Sequence, residues 1–248
     1  MHVLYHAGFS RPVLHQIAAV LFCAASWTAG AQTNPGLVAY YPFEGNAADR
    51  VSQNHGIERG GAAYAPGLGG GLALSLDGID DFVELPPTVE GDFSVGFWVN
   101  TTAQAPMGTD WYQGLGIVDG EVCGSPPGGD WGIALLSGGR ISFADRASQA
   151  QVNDGLWHAV VVTRNSGDGR FAIFIDGQLE AEGFGGFSPL NGVPFIGVGN
   201  NPCDVQFGRR YFPGLVDELR FYNRVLTPEE IETLSTSPVF ADSFESRP

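Results

Sequence analysis

The chain has 248 residues, enough for one sizeable domain whose core buries most of its apolar surface. Its 36 glycines and 17 phenylalanines favour many short strands joined by tight turns over a helical protein. The formal charge of −15 argues against nucleic acid as a partner, because phosphates would be repelled. Acidic side chains scattered through Gly- and Asn-rich loops favour calcium, which binds oxygen ligands.

Residues 1–31 have the pattern of a secretory signal peptide. The segment opens with His2, His6 and Arg11 and no acid, continues with an apolar run at 13–27, and ends on the small residues 29–31. A membrane anchor is the alternative, but the run is too short and too polar for a span. We therefore expect export to the periplasm, the cell surface or the medium, with cleavage after residue 31 and no membrane span in the mature chain.

Removal of that segment leaves two cysteines, Cys123 and Cys203. An even count in an exported protein favours a disulfide. Both cysteines lie in loops rich in Gly, Pro or Asn, so the bridge would join two long loops. Two free thiols are the alternative, and the absence of nearby histidines makes a zinc site a poor fit.

Strand-like segments recur along the mature chain with turn signals between them. They are 37–43, 72–76, 81–85, 93–100, 115–118, 131–136, 140–143, 157–164, 170–176 and 195–199. In the clearest case, Phe93, Val95, Phe97 and Val99 occupy one face of an alternating segment. Many antiparallel strands with a single terminal helix predict an all-β fold, a two-sheet antiparallel sandwich.

One short C-terminal helix is predicted. Thr227 is a good N-cap, Pro228 suits the first helical position, and Glu230 completes a capping box. The helix should end near Ser235. Residues 237–248 then form a short tail, which either frays or docks on a sheet edge.

The strand before this helix, at 214–222, carries an unexpected acid. Leu215, Asp217, Leu219 and Phe221 should share one face, because side chains alternate along a strand. A carboxylate on an apolar face is costly unless a cation or several donors meet it. Asp217 is therefore a candidate site residue.

Seven segments match a known family in order. They are 38–46, Asp49 with 54–56, 76–83, 93–99, 154–158, 174–177 and 214–231. The chain resembles the bacterial laminin-G-like, concanavalin-A-type jelly-roll domains over roughly residues 36–236, which places such a domain at 32–236. The resemblance implies two antiparallel sheets in a jelly roll, often with a structural calcium ion. It implies no single activity, since such domains bind carbohydrates, serve in adhesion or accompany enzymes.

A calcium ion is predicted to join the beginning of the domain to its end. Asp49 and Asn54 lie in a turn-rich loop, and Asp217 would bring the inward carboxylate. The alternative is that Asp217 accepts hydrogen bonds from backbone amides or pairs with Arg50 or Arg59.

A second acidic group, formed by Asp77, Asp80 and Asp81, lies between two predicted strands. We interpret it as turn chemistry, because aspartates bond to the backbone in tight turns. Contact with a ligand or a second cation is the alternative.

Aromatic and polar side chains near the two cysteine loops are the candidate glycan-binding residues. They are Trp111, Tyr112, Asp119, Asp130, Trp131, Asp204, Gln206 and Tyr211. Aromatic faces stack on sugars, and the polar groups accept hydroxyl protons. A disulfide between the loops would hold the group rigid and lower the entropy cost of binding. The alternative is that these aromatics are ordinary core.

No pattern of catalytic residues is evident in the sequence. Retaining glycosidases need two carboxylates about 5 Å apart, and the laminarinase-like Glu-x-Asp-x-x-Glu spacing does not occur here. The sequence therefore favours an exported, non-catalytic module that binds a glycan or polysaccharide. The alternatives are an adhesive or structural surface domain that contacts a protein, and a hydrolase or lyase with dispersed catalytic residues.

Overall fold

A computed structural model describes residues 35–120, 129–185, 190, 193–201, 203 and 210–236. The strands in this part are β1 (Leu37–Tyr41), β2 (Ile57–Arg59), β3 (Ala63–Pro66), β4 (Leu72–Asp77), β5 (Phe82–Leu85), β6 (Phe93–Asn100), β7 (Leu115–Asp119), β8 (Gly132–Leu136), β9 (Arg140–Phe143), β10 (Arg146–Gln151), β11 (Trp157–Arg164), β12 (Arg170–Ile175), β13 (Gln178–Phe184), β14 (Ile196–Val198) and β15 (Pro213–Tyr222). Two 3-10 turns (Leu68–Gly70 and Trp111–Gln113) and helix α1 (Pro228–Thr236) complete the set in the described residues.

The strands form two antiparallel sheets. The eight-stranded sheet has the order β13-β12-β11-β6-β15-β4-β3, with β1 pairing to β15. The seven-stranded sheet has the order β10-β9-β8-β7-β14-β5-β2. Neighbours that are distant in sequence, such as β6 and β15, pair at the centre of the eight-stranded sheet. The predicted two-sheet jelly-roll sandwich with one short helix is confirmed.

One hydrophobic core lies between the sheets. Phe93, Val95, Phe97 and Val99 of β6 all belong to it, as the alternation predicted. Ile133 of β8 comes from the opposite sheet. Each such side chain contributes roughly 1.5–3 kcal/mol when it is fully buried.

Helix α1 covers the outer face of the eight-stranded sheet. Its predicted capping box is present: the Thr227 amide donates to Glu230 Oε2 at 2.9 Å, and the Glu230 amide donates to Thr227 Oγ1 at 3.4 Å. A second apolar cluster lies under the helix and contains Val161, Tyr222, Leu226, Ile231 and Leu234. The helix is thus fixed by its cap and by one apolar face.

A β-bulge interrupts the alternation of β15. Asp217 lies opposite Trp98 of β6, whereas the next paired residue, Arg220, lies opposite Gly96. Glu218 takes up the irregularity with a φ of +56°, in the left-handed region that side chains rarely adopt.

The bulge corrects the predicted face of Asp217. Trp98 lies between core residues of β6, so its side chain and that of Asp217 point away from the core. Leu219 and Phe221 remain in the core. The prediction that Asp217 shares their face is wrong, because an extra residue in one strand reverses every later side-chain direction.

The predicted signal peptide (1–31) and tail (237–248) lie outside the described residues. Among the described residues, no helix combines the length and the apolar character needed to cross a bilayer.

Candidate ligand-binding site

A cavity of about 320 Å³ opens at one end of the sandwich. Phe143, Arg164 and Phe184 line it, and they are the last residues of β9, β11 and β13. Trp111, from the second 3-10 turn, and Trp131, just before β8, complete its aromatic wall. The site is therefore built from strand ends and the connections that follow them, a common place for binding residues.

Trp111 is positioned by a glycine on the neighbouring strand. Its six-membered ring lies against Gly132 of β8, where any Cβ would overlap it. The Gln113 side chain fastens this turn, since its oxygen accepts hydrogen bonds from the amides of Thr109 at 2.8 Å and Asp110 at 3.3 Å. The absence of a side chain at position 132 thus lets a tryptophan rest on the sheet.

Trp131 and Arg164 share Phe93 as a packing partner. The rings of Trp131 and Phe93 have centroids 5.1 Å apart, and the Arg164 guanidinium lies 5.8 Å from the Phe93 centroid. Arg164 Nη1 donates to the Gly91 carbonyl oxygen at 2.5 Å. Burial lowers the pKa of Arg164 from its usual value, and the nearby charge of Asp92 opposes that effect. The guanidinium remains charged at neutral pH.

The mouth of the cavity carries one aromatic ring and two carboxylates. Phe184 is 63% exposed, and the Arg170 guanidinium lies 5.3 Å from its centroid. Asp130 and Asp145 also line the cavity and are exposed. Acceptors and an aromatic face therefore meet at the entrance.

The structure brings three of the eight predicted ligand residues together: Trp111, Asp130 and Trp131. Tyr112 lies beside Trp111 with its ring edge-on, at a centroid distance of 6.0 Å. Asp119 is fully buried and lies opposite Gly132 in the sheet.

Tyr211 packs against Phe82 with ring centroids 6.3 Å apart, and it does not line this cavity. Asp204 and Gln206 lie outside the described residues.

Sequence reasoning missed Phe143, Asp145, Arg164, Phe171 and Phe184. Phe143 and Phe171 fit an alternating pattern and look like core from the sequence, and Arg164 looks like an exposed strand end. The position of Phe143, Arg164 and Phe184 at the ends of strands, next to the connecting loops, is the signal that could have indicated a role in binding.

Cys203 is buried. Its predicted partner, Cys123, lies outside the described residues, so their pairing stays a prediction.

The predicted calcium ligand Asp49 belongs to its own turn. Its Oδ1 accepts hydrogen bonds from the amides of Tyr40 and Val51, both at 2.9 Å, and its Oδ2 accepts from the amide and hydroxyl of Ser52. Burial alone would raise the pKa of Asp49, but these hydrogen bonds outweigh it and lower the pKa. The backbone carbonyl of Asn54 accepts from the Tyr41 hydroxyl at 2.5 Å.

Asp217 belongs to a different hydrogen-bond network. Its carboxylate accepts hydrogen bonds from the amides of Leu68 at 3.0 Å and Glu218 at 2.8 Å. Hydrogen bonding by backbone amides is the alternative to calcium that the sequence analysis gave for Asp217. Burial raises the pKa of Asp217 to about 7, and the charges of Glu218 and Glu44 add to the effect. Within the described residues, the hydrogen-bond donors to Asp217 and those to Asp49 have no residue in common.

Glu44 lies on the other side of the same glycine-rich turn. Its Oε2 accepts from the Leu72 amide at 2.9 Å, and a Cβ on Gly71 would overlap its carboxylate. A Cβ on Gly67 would lie 2.7 Å from Asp217 Oδ2. The turn at 67–71 therefore has room for two carboxylates only because both positions are glycine.

The acidic group Asp77, Asp80 and Asp81 has carboxylate oxygens within 4.8 Å of one another. Asp77 Oδ1 accepts from the Ile79 amide at 2.7 Å, and Asp81 Oδ2 accepts from the Asp77 amide at 3.1 Å. These are the hydrogen bonds of a tight turn.

The family model of the concanavalin A-like lectin/glucanase superfamily matches residues 77–232. Among curated proteins, the rat (Rattus norvegicus) Sushi, von Willebrand factor type A, EGF and pentraxin domain-containing protein 1 is 30% identical over 97 residues, 35% of this chain and 3% of that protein. Guinea pig (Cavia porcellus) neuronal pentraxin-2 is 24% identical over 58% of this chain and 34% of that protein. The chain thus spans 3% and 34% of the lengths of these two relatives.

Two solved structures illustrate the fold similarity. Domain 4 of AbnA, an extracellular arabinanase from Geobacillus stearothermophilus solved with arabinotriose, is 22% identical with a TM-score of 0.62. The comparison covers 80% of this chain and 98% of that one. The binding domain of botulinum neurotoxin DC, solved with SialylT, is 15% identical with a TM-score of 0.61, covering 83% of this chain and 52% of that one.

Proposed function

The chain belongs to the concanavalin A-like lectin/glucanase superfamily, and on that premise we propose that it is an exported, non-catalytic module that binds a glycan. One observation carries the proposal: aromatic rings and carboxylates meet around a single cavity at the end of the sandwich. The likeness to an arabinanase domain solved with arabinotriose supports it.

The chemistry of the cavity suits a sugar. A pyranose or furanose ring has apolar C–H faces that pack on aromatic rings, and hydroxyl groups around its edge. Phe184 supplies an exposed aromatic face, Trp111 adds the 9% of its surface that remains accessible, and Asp130 and Asp145 supply acceptors. Because Trp111 rests on Gly132 and Phe184 lies beside Arg170, both rings are held in place before a ligand arrives. Such preorganisation lowers the entropy cost of binding.

A structural calcium ion is part of the proposal, with a changed ligand set. We assign Glu44 and Asp217 to the ion, because both carboxylates lie against the glycine-rich turn at 67–71 and, besides burial, the charge of Glu44 raises the pKa of Asp217. An ion there would offset the burial of Asp217. Asp49 and Asn54 are left out, because the carboxylate of Asp49 already serves four donors in its own turn.

Export rests on the signal-peptide pattern of residues 1–31, and the disulfide rests on Cys123 and Cys203. Both are tested on the secreted protein. Mass spectrometry should find a mature N-terminus at residue 32 and a mass two hydrogens below that of the reduced form.

A glycan array followed by calorimetry tests the function. We expect binding to at least one neutral polysaccharide, and loss of about tenfold or more in affinity for Phe184→Ala. Leu179→Ala is the matched control, because Leu179 is also exposed on β13 but lies outside the cavity. An array without any binding would overturn the proposal and favour an adhesive domain. Turnover of a bound polysaccharide would overturn the non-catalytic part.

A further inference from the structure

The cavity is closed at its inner end. Trp131, Phe143, Phe171 and Leu190 line it and also belong to the main hydrophobic core. Phe184, Asp130 and Asp145 are exposed at its mouth. A ligand can therefore enter from the end of the sandwich, but it cannot continue through the core.

The cavity is also small. Its volume of about 320 Å³ lies at the lower end of the ~300–1,000 Å³ range of ligand pockets. An extended oligosaccharide needs a groove that is open at both ends, so that the chain can pass in and out. A small site that is closed at its inner end accepts only the last one or two units of a chain.

The charges at the mouth indicate which sugars can enter. The lining includes two exposed carboxylates, Asp130 and Asp145, and one buried guanidinium that already donates to the Gly91 carbonyl. Asp145 pairs with Arg146 at 2.6 Å, and the Arg170 guanidinium lies beside Phe184, so positive charge offsets part of the negative charge at the mouth. The whole chain carries a formal charge of −15. The net negative charge of the whole chain disfavours the approach of a uronate or sialate, whereas the hydroxyl groups of a neutral sugar find acceptors in Asp130 and Asp145.

We propose that this cavity binds the end of a neutral glycan chain, holding one or two terminal sugar units, and does not bind internal stretches. This inference rests on the proposed function. Beyond glycan binding, it states that the affinity for a glycan depends on a free chain end and does not change with chain length beyond the second sugar unit.

Calorimetry with linear arabino-, xylo- and cello-oligosaccharides of one to six units tests the proposal. For the series that binds, we expect the affinity to reach its maximum at two units and to change less than about twofold beyond that. Modification of one chain end, either by reduction of the reducing sugar or by methylation of the terminal non-reducing hydroxyls, should abolish binding, while the other modification leaves it unchanged.

The outcomes separate the two proposals. If affinity rises with every added unit up to six, or if both modified chains bind like the parent, chain-end recognition is overturned and glycan binding stands. If none of the three series binds, chain-end recognition of a neutral glycan is overturned, and the glycan array alone decides whether the module binds any glycan. A terminal uronic acid that strengthens binding would overturn the preference for neutral sugars.

Discussion

The carboxylate of Asp217 on β15 accepts a hydrogen bond from the backbone amide of Leu68, 149 positions earlier in the chain, at 3.0 Å. This contact fastens the glycine-rich turn before β4 to β15, one of the inner strands of the eight-stranded sheet. It also leaves a buried carboxylate whose pKa is raised to about 7, mainly by burial. A cation beside Glu44 and Asp217 would remove that cost.

Calcium should therefore stabilise the protein through these two residues. We expect a chelator to lower the melting temperature and added calcium to restore it, because the ion binds only the folded state. Asp217→Asn and Glu44→Gln should each abolish the response to calcium. Melting curves measured with chelator and with calcium check this.

Asp49→Asn serves as the control for the calcium site. It should lower the melting temperature by weakening the turn that Asp49 organises, yet it should keep the response to calcium. A calcium response that disappears in Asp49→Asn and persists in Asp217→Asn would contradict the assignment of ligands.

His158 should make stability depend on pH. Its Nδ1 lies 2.8 Å from Asp176 Oδ2, and its Nε2 lies 3.1 Å from Asp154 Oδ1. Burial alone would lower the pKa of His158, but hydrogen bonds and charge from both aspartates outweigh it and raise the pKa above 6.5. The stabilisation is therefore fully present below pH 6.5 and lost as pH rises through the raised pKa.

Urea unfolding of the wild type and His158→Gln at pH 6 and pH 9 measures this contribution. The variant should lose more unfolding free energy at pH 6 than at pH 9. Equal losses at the two pH values would show that the ion pairs contribute nothing.

Ser94 should be important for the attachment of helix α1. Its hydroxyl donates to the Arg224 carbonyl at 2.8 Å and accepts from the Leu226 amide at 3.0 Å, and the residue is fully buried. Ser94→Ala leaves a buried amide without its acceptor, which should cost about 1–3 kcal/mol of unfolding free energy. Chemical denaturation provides the value.

Ser142→Ala is the matched control for Ser94. Ser142 is equally buried, but its hydroxyl makes one longer hydrogen bond, to Ala134 at 3.3 Å. Its loss should cost less, about 0.5–1.5 kcal/mol. If the two variants lose the same free energy, Ser94 has no special role at the helix.

Gly132→Ala should displace Trp111 from the cavity wall. A Cβ at this position overlaps the tryptophan ring, so overpacking should cost about 1–3 kcal/mol. Glycan affinity should fall as well, because Trp111 lines the cavity.

In the control Gly91→Ala, the nearest atom to the new Cβ is Ser166 Oγ at 3.7 Å, an ordinary contact. Unchanged sugar binding in Gly132→Ala would show that Trp111 is not part of the site.

Much of the sandwich could be predicted from local patterns. The alternation at Phe93–Val99 and the capping box of Thr227 and Glu230 are signals between near neighbours in sequence, and both are confirmed. The direction of Asp217 could not be predicted, because it depends on a bulge at Glu218 that strict alternation cannot represent.

Only part of the candidate site could be predicted, because local sequence patterns identify loop residues better than residues at the ends of strands. Trp111, Asp130 and Trp131 lie in or beside loops with turn signals, whereas Phe143 ends a regular strand and resembles core, and Arg164 resembles an ordinary exposed strand end. Glu44 was not predicted as a site residue, because it and Asp217 are far apart in sequence and are brought to the same glycine-rich turn only by the pairing of distant strands. Such pairings follow from sheet topology, which local patterns do not encode.

A crystal structure of the protein soaked with arabinotriose tests the central claim most directly. The account predicts a terminal sugar ring in the end cavity, between Trp111 and Phe184, with its hydroxyl groups near Asp130 or Asp145 and the rest of the chain in solvent. A sugar bound elsewhere on the sandwich, with the cavity holding only water, would contradict it.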